Sequence, residues 1–446
     1  MFFPRLAALA ASLAGVGLLA TSVPVSAAPS LASERATAEC AWWVETSMQT
    51  TNVLYPDTAA AYWTMPYLTD EAELIEVNGV YLDARYFAIQ AYGADAQLFE
   101  SPAGQESAIA DFQIQPNAGS VNPWDTPAQP GGSWTVTLSD APLVGVKNLL
   151  PLSPQGAVEP LIREIPATTA FLMIRVYLPA EGFSALRPLL PEVTITDRGG
   201  IVRTLEPCSP TQRKALAATK DGKALAQALK SRNTPPSADC GDSCPPELEF
   251  FKVGSSATPF PNANSAYVGA LFTPAQGKVV VARAVMPTTS TGESPEVWPG
   301  GRQLRYWSIC NYVHRAPFPA VETVLGGNGK KVVGCTNDTT TAVSASGTAT
   351  LVLSFPADKK AINKRLTRMK AATWLPMSPR YGTTQELLAF RNMLPNSSFA
   401  QSATNIPTTG NPEAAKEVMG RFYPQIGMCS IKTFLKSGAT GCLSSS

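Results

Sequence analysis

The sequence predicts a mainly β protein: two tandem, duplicated antiparallel domains of β-sandwich or jelly-roll type, with an interdomain helix and a C-terminal helix. Three observations carry that expectation. Thirty-nine prolines and thirty-two glycines punctuate short apolar runs, as turns punctuate strands. The runs between them are rich in β-branched and aromatic residues. Most informative, several of these runs recur in the same order in the second half of the chain.

In chain order, the first element is a signal peptide over residues 1–27. Met1 to Arg5 form a short basic start, Leu6 to Ala20 are apolar or small, and Val25-Ser26-Ala27 supplies small residues at a cleavage site. The apolar run is too short to span a bilayer comfortably, and no cysteine sits beside the cut, so neither a retained anchor nor a lipoprotein is expected. No later stretch is long and apolar enough to cross a membrane. The expected location is secreted or periplasmic, with no membrane insertion once the signal is removed.

Residues 28–207 are expected to form the first β domain and 251–400 its duplicate. Arg85-Tyr-Phe-Ala-Ile-Gln-Ala-Tyr92 matches Arg305-Tyr-Trp-Ser-Ile-Cys-Asn-Tyr312. Upstream, Tyr55-Pro56-Asp57 leads to Ala61-Tyr62 as Phe260-Pro261-Asn262 leads to Ala266-Tyr267. Downstream, Ser133 to Ser139 parallels Thr348 to Ser354, and Arg175-Val-Tyr-Leu-Pro179 parallels Arg391-Asn-Met-Leu-Pro395. The spacing drifts as loop insertions make it drift, notably at the Pro/Ser/Thr/Gly-rich stretch from Thr288 to Gly301. Strands are expected at Arg85 to Tyr92, Trp134 to Leu138, Phe171 to Leu178, Lys278 to Val285 and Thr348 to Leu353.

Between the domains, residues 208–250 are read as a helical linker. Pro210 to Ser231 is rich in strong helix formers, and Ser209-Pro210 suits a cap and first position. Residues 401–446 are read as a helix starting at Asn411-Pro412 and running through Met419, followed by a disulfide-tied tail.

Eight cysteines, Cys40, Cys208, Cys240, Cys244, Cys310, Cys335, Cys429 and Cys442, fit four disulfides in an oxidising compartment. Local spacing favours Cys240 with Cys244, Cys429 with Cys442, and Cys310 with Cys335, which leaves Cys40 with Cys208. A zinc site is disfavoured because there is no Cys-x-x-Cys pair and only one histidine.

In the second half, Arg305-Tyr-Trp-Ser-Ile-Cys310, Thr373-Trp-Leu-Pro376, Arg391-Asn-Met-Leu-Pro395 and Met419-Gly followed by Tyr423-Pro resemble, in order, segments of a group of secreted bacterial proteins. The likeness runs from about Pro261 onward. It implies export and a shared fold, and that group has no established activity to carry over.

Function classes narrow by exclusion. Charged residues make up 15% and the net charge is +1, without the clustered Lys and Arg that nucleic acid requires. No nucleophile elbow, His-Glu-x-x-His, phosphate loop or dinucleotide fingerprint is present, and no cofactor is expected. A Ser-His-Asp triad would have to use His314, the lone histidine, for which a surface or capping role is the better reading. Glu71, Glu73, Glu76, Asp83 and Asp338 do not recur at matched positions, so an acid–base pair is disfavoured. Lys359 to Lys370 reads as a solvated insertion with an amphipathic turn at Leu366 and Met369, and the tryptophans, Trp42-Trp43 to Trp374, show no ladder. The residues singled out for a ligand are Arg85, Tyr86, Arg305, Tyr306 and Trp307. Alternation puts Arg85 on the face of Phe87 and Ile89, and Arg305 on that of Trp307 and Ile309. Each arginine is expected either in a structural ion pair or as the grip of an aromatic-floored anion pocket. Arg175 and Arg391 are expected in separate structural roles. The favoured function is binding of a small molecule, polymer or protein. The alternative is a hydrolase-like enzyme with a site between the halves near Arg305 and Tyr306.

Overall fold

A computed structural model describes residues 40–125, 131–161, 163–219, 222, 223, 226, 247–254, 259–290, 298, 301–325, 329–369, 371–382 and 384–444. The expected signal peptide, most of residues 219–231 expected to continue the linker helix, and the expected Cys240–Cys244 pair lie outside these residues.

The protein is mainly β, built of several largely antiparallel sheets with few helices. The first half contains β1 (Cys40–Ala41), β2 (Val44–Ser47), β3 (Ala60–Leu68), β4 (Ala72–Val80), β5 (Ala84–Tyr92) and β6 (Ala108–Ala110). These are followed by β7 (Ser133–Leu138), β8 (Leu149–Leu150), β9 (Thr169–Pro179), β10 (Glu192–Asp197) and β11 (Val202–Pro207). One sheet runs β2-β3-β9-β5-β6 and the other β1-β11-β10-β4-β7-β8.

In the second half are β12 (Phe251–Lys252), β13 (Ser265–Phe272), β14 (Lys278–Val285), β15 (Leu304–Val313), β16 (Glu322–Leu325) and β17 (Lys330–Val333). Then come β18 (Cys335–Asn337), β19 (Thr348–Ser354), β20 (Ala372–Pro376), β21 (Glu386–Pro395) and β22 (Gln425–Ser430). Here one sheet runs β12-β13-β21-β15-β18 and another β20-β19-β14-β22. The order β2-β3-β9-β5-β6 is thus matched by β12-β13-β21-β15-β18, and β8-β7-β4-β10 by β20-β19-β14-β22. Both β7–β8 and β19–β20 are parallel pairs.

Each half buries an apolar core between its two sheets. In the first, Trp63, Phe87, Ile89 and Ile174 pack against Ile75, Val77, Trp134 and Val193. In the second, Val268, Trp307, Ile309 and Phe390 pack against Val280, Leu351, Leu353 and Ile426. The remaining faces of the two five-stranded sheets meet each other, so β5 and β15 are buried along their whole length. An antiparallel sheet more often leaves one face to water. Here that face carries Tyr86, Gln90, Tyr92, Tyr306, Ser308 and Tyr312, whose polar atoms must find partners inside the protein.

The alternation expected from sequence holds for Phe87 and Ile89 but breaks at the arginines. Leu178 and Leu394, on the neighbouring strands, both take φ 45°. Their N–H groups leave the ladder for the carbonyls of Ala59 and Asn264, at 2.8 and 2.9 Å. At these kinks Arg85 and Arg305 turn toward the opposite half instead of starting an apolar row.

Helices sit at the periphery: α1 (Phe183–Leu186), α2 (Pro210–Ala218), α3 (Lys359–Leu366), α4 (Pro412–Met419) and α5 (Ile431–Leu443). Ser209 and Gln212 form a reciprocal capping box on α2, and Asn411 Oδ1 accepts from Glu413 and Ala414 N–H on α4. The basic stretch from Lys359 corrects one expectation. It is not a solvated insertion but a helix whose Ile362 is buried with Phe434 of α5 against the outer face of β14 and β19. Its apolar side covers a strand face that would otherwise be wet. Disulfides join Cys40–Cys208, Cys310–Cys335 and Cys429–Cys442.

Gly79 on β4 lies opposite Trp134 of β7, and a Cβ there would approach the indole ring to 2.4 Å. Gly79→Ala is expected to lower the free energy of unfolding by ~1–3 kcal/mol through overpacking. An unchanged urea midpoint would show that the ring has room to move.

Candidate functional site

The arginines of the signature strands lie between the two inner sheets. Arg305 is wholly buried. Its Nε donates to the Arg85 carbonyl at 2.7 Å, while Arg85 Nη1 donates to the Arg305 carbonyl at 3.3 Å. This reciprocal clasp joins β5 to β15 across the halves. Arg305 then forms a two-point pair with Asp111, at 2.7 and 2.8 Å, neither side chain exposed. Asp111 also accepts from the Phe87 and Phe112 N–H groups, and the Trp124 ring lies 3.5 Å from the guanidinium carbon. Arg85 pairs with Asp338 at 2.6 Å. Burial pushes the Asp111 carboxyl up, against the pull of Arg305 and the two amides. It acts likewise on Asp338, against Arg85.

Next to the clasp is a second pair of matched arginines. On β21, Arg391 binds Asp57, which also accepts from Tyr306 Oη at 3.0 Å, Ser308 Oγ at 2.6 Å and Ala59 N–H at 2.9 Å. On β9, Arg175 donates to Tyr92 Oη and to the Phe260 carbonyl at 3.1 Å. Arg175 faces Tyr62 across β3–β9 and Arg391 faces Tyr267 across β13–β21. Arg175 contacts no carboxylate among the described residues, and its Nε has no hydrogen-bond partner. Burial pulls its pKa down, but Tyr92, Tyr177 and Tyr62 outweigh that and the net direction is up, so the group stays charged.

These two arginines, rather than Arg85 and Arg305, border the main opening. A cavity of about 560 Å3 lies between the halves. Tyr62, Phe99, Met173 and Arg175 wall it from the first half, and Phe260, Asn262, Tyr267, Tyr312 and Arg391 from the second. Lys252 also lines it but is engaged by the Thr404 and Ile406 carbonyls. Glu100 and Glu106 complete the polar wall and are exposed.

The five residues singled out from sequence are therefore placed as follows. Arg85 and Arg305 are sealed against Asp338, Asp111 and each other's carbonyls. Tyr86 donates to Asn262 and Asn264, and Tyr306 to Asp57. Trp307 belongs to the second core, its indole N–H on the Pro287 carbonyl. None of the five lines the cavity; of the two roles expected for Arg85 and Arg305, they take the structural ion pair, and the cavity's arginines are Arg175 and Arg391 instead. The expected separation of those two into unrelated roles is corrected as well. The cross-half packing brings both to one cavity.

Other carboxylates stand apart: Glu71, Glu73 and Asp83 are exposed. His314, expected in a surface or capping role, is buried, with Nδ1 3.4 Å from Tyr55 Oη, and burial lowers its pKa to about 4. The loop after β15 folds back, its Val313 N–H on the Pro319 carbonyl, and brings the Phe318 ring to 6.2 Å from the imidazole. Asp57, Asp111 and Asn262 were missed as polar anchors, although the matched Pro-Asp and Pro-Asn segments already placed two of them. Glu386 was missed too. It is buried, accepts from Asn311 and the Ser378 N–H, and burial raises its pKa to about 7.

No family model matches the chain, and no curated protein matches it. Among solved structures it is similar to an uncharacterized protein from Burkholderia cenocepacia, at 12% identity and TM-score 0.45, over 86% of this chain and 80% of that one. It is also similar to a protein from Vibrio parahaemolyticus, at 11% identity and TM-score 0.39, over 84% and 90% of the two chains.

Two outcomes test the buried charges. Asp111→Asn leaves Arg305 without its counter-charge and is expected to cost ~3–5 kcal/mol in urea unfolding, whereas adding Arg305→Met should restore part of that loss. If the single variant unfolds like wild type, the pair does not carry the interface. The second outcome is a pair of opposite pH slopes. His314 titrates lower when folded, so stability relative to His314→Gln should fall by ~3 kcal/mol as pH drops from 6.5 toward 4. Glu386 titrates higher when folded, so stability relative to Glu386→Gln should fall as pH rises from 4.5 toward 7. Thermal melts of the three proteins across pH 4–8 read both slopes.

Proposed function

We propose that this chain is an exported protein of two duplicated β domains that binds a small ligand in the cavity between them. The cavity carries the reading. Its volume falls within the ~300–1,000 Å3 usual for small-molecule sites, and its walls combine aromatic rings with a few convergent polar groups. Both halves contribute to it, so it exists only when they are packed together.

The duplication is supported by the matched strand orders and by the paired contacts of Arg85 with Arg305 and of Arg175 with Arg391. On this reading the domains cover residues 28–207 and 251–400, with residues 208–250 as linker and 401–446 as a C-terminal extension. Export is supported by the leader-like residues 1–27, by the likeness of the second half to secreted bacterial proteins, and by three disulfides of the kind that persist in oxidising compartments. No helix among the described residues is long and apolar enough to cross a membrane. Binding is preferred over hydrolysis because Arg305 and Tyr306, around which a hydrolytic site was expected, are wholly buried and committed to Asp111 and Asp57.

Titration with Nile red, a neutral apolar dye, tests the cavity without regard to ligand charge. Wild type is expected to show one saturable site. Ala389→Trp or Thr64→Phe, which add bulk from opposite walls, should abolish it while cooperative unfolding is kept. Saturable binding that survives both substitutions would place the site elsewhere and end this reading.

A further inference from the structure

The two halves put a carboxylate and an amide at matching places. Asp57 ends the segment Tyr55-Pro56-Asp57, and Asn262 ends Phe260-Pro261-Asn262. Each reaches across to a tyrosine of the opposite half, Asp57 to Tyr306 and Asn262 to Tyr86. Asp57 also neutralises Arg391. The counterpart of Arg391 is Arg175, and the counterpart of its carboxylate is the uncharged Asn262.

Arg175 is only 3% exposed. It holds the Tyr92 hydroxyl and the Phe260 and Pro261 carbonyls through Nη2 alone. Its Nε is a buried donor without a partner, and no hydrogen bond of Nη1 is formed among the described residues. Asn262 Nδ2 is likewise buried and unpartnered. Both residues form part of the cavity wall. A buried guanidinium facing a cavity with no counter-ion is costly, and a carboxylate is the group that best relieves it.

Resting on the ligand-binding reading above, we propose that the cavity takes a small carboxylate, whose anionic end pairs with Arg175 and supplies the counter-charge that Asp57 gives Arg391. The rings of Tyr62, Phe260 and Tyr267 suit an aromatic or apolar body. The exposed Glu100 and Glu106 oppose a second negative charge, so the ligand is a monoanion.

Asn262→Asp is the direct test, because it would supply the missing carboxylate from within. The change should be tolerated: Asn262 Oδ1 accepts from Tyr86, Gln90 and Asn264, whereas Nδ2 has no acceptor to lose. Calorimetric titration of the purified, disulfide-bonded protein compares 2-naphthoate with its neutral analogue 2-naphthamide. Wild type is expected to prefer the naphthoate by about tenfold or more, the scale of one charge-assisted hydrogen bond. Asn262→Asp should lose that preference while binding the naphthamide as before, and Arg175→Gln, a second route to the same loss, should do likewise. If both ligands bind wild type equally, or if Asn262→Asp keeps the preference, the carboxylate assignment is overturned and the cavity reading stands. If neither ligand binds and Nile red also fails, both fall together.

Discussion

A guanidinium cut off from water has to find carboxylates or carbonyls, and between the two inner sheets four of them make that demand at once. Arg305 meets it with Asp111 and the Arg85 carbonyl, Arg85 with Asp338 and the Arg305 carbonyl, and Arg391 with Asp57. In each case at least one partner comes from the opposite half. The partners of these buried charges lie across the interface, so removing one of them leaves an uncompensated charge between the sheets. The cores within each half are ordinary sandwich interiors. The contact between the halves adds to apolar clusters, such as Tyr86, Ala88 and Tyr177 with Tyr306 and Met393, a polar and directional set of buried ion pairs.

That polarity explains why the inner strands are buried on both sides without reading as continuous apolar runs. One face of β5 and β15 feeds a core with Phe87, Ile89, Trp307 and Ile309, and the other presents Tyr86, Gln90, Tyr306 and Ser308. Hydroxyls and amides on the second face reach Asp57, Asn262 and Asn264, so few polar groups are stranded. Some of the exceptions, such as the indole N–H groups of Trp63 and Trp134 and Oδ1 of Asp338, lie away from the cavity, but others border it. Nε of Arg175, Nε of Arg391 and Nδ2 of Asn262 are buried donors without partners, and all three residues border the same cavity. Donors left unused at a cavity wall are ones that a ligand could meet.

Most of the secondary structure was legible because its causes are local. The strand at Lys278–Val285, the caps at Ser209 and Asn411, and the disulfides Cys310–Cys335 and Cys429–Cys442 follow from residue type and spacing within short windows, whereas Cys40–Cys208, 168 residues apart, was reached only as the remainder. The basic helix from Lys359 was misread because charge counts do not reveal that Ile362 has a strand face to cover. His314 was misread because the loop that buries it is ordered by contacts sequence does not show. The candidate site was half legible. The repeated arginines pointed to the right interface, but the more conspicuous pair, Arg85 and Arg305, is sealed, and the pair first set aside as structural borders the cavity.

The sequence by itself determined the β character and the matched motifs, and it favoured the two short-range disulfides Cys310–Cys335 and Cys429–Cys442, since period-two patterning, turn residues and close cysteine spacing act over short stretches of chain. Only the tertiary structure decided which arginine meets which carboxylate. Arg305 and Asp111 are 194 residues apart, Arg85 and Asp338 253, and Arg391 and Asp57 334. Over such separations a charge has no preferred partner in the chain, and the choice is made when two sheet faces dock and exclude water. The same docking leaves Arg175 on a tyrosine hydroxyl and two backbone carbonyls, with no carboxylate partner among the described residues.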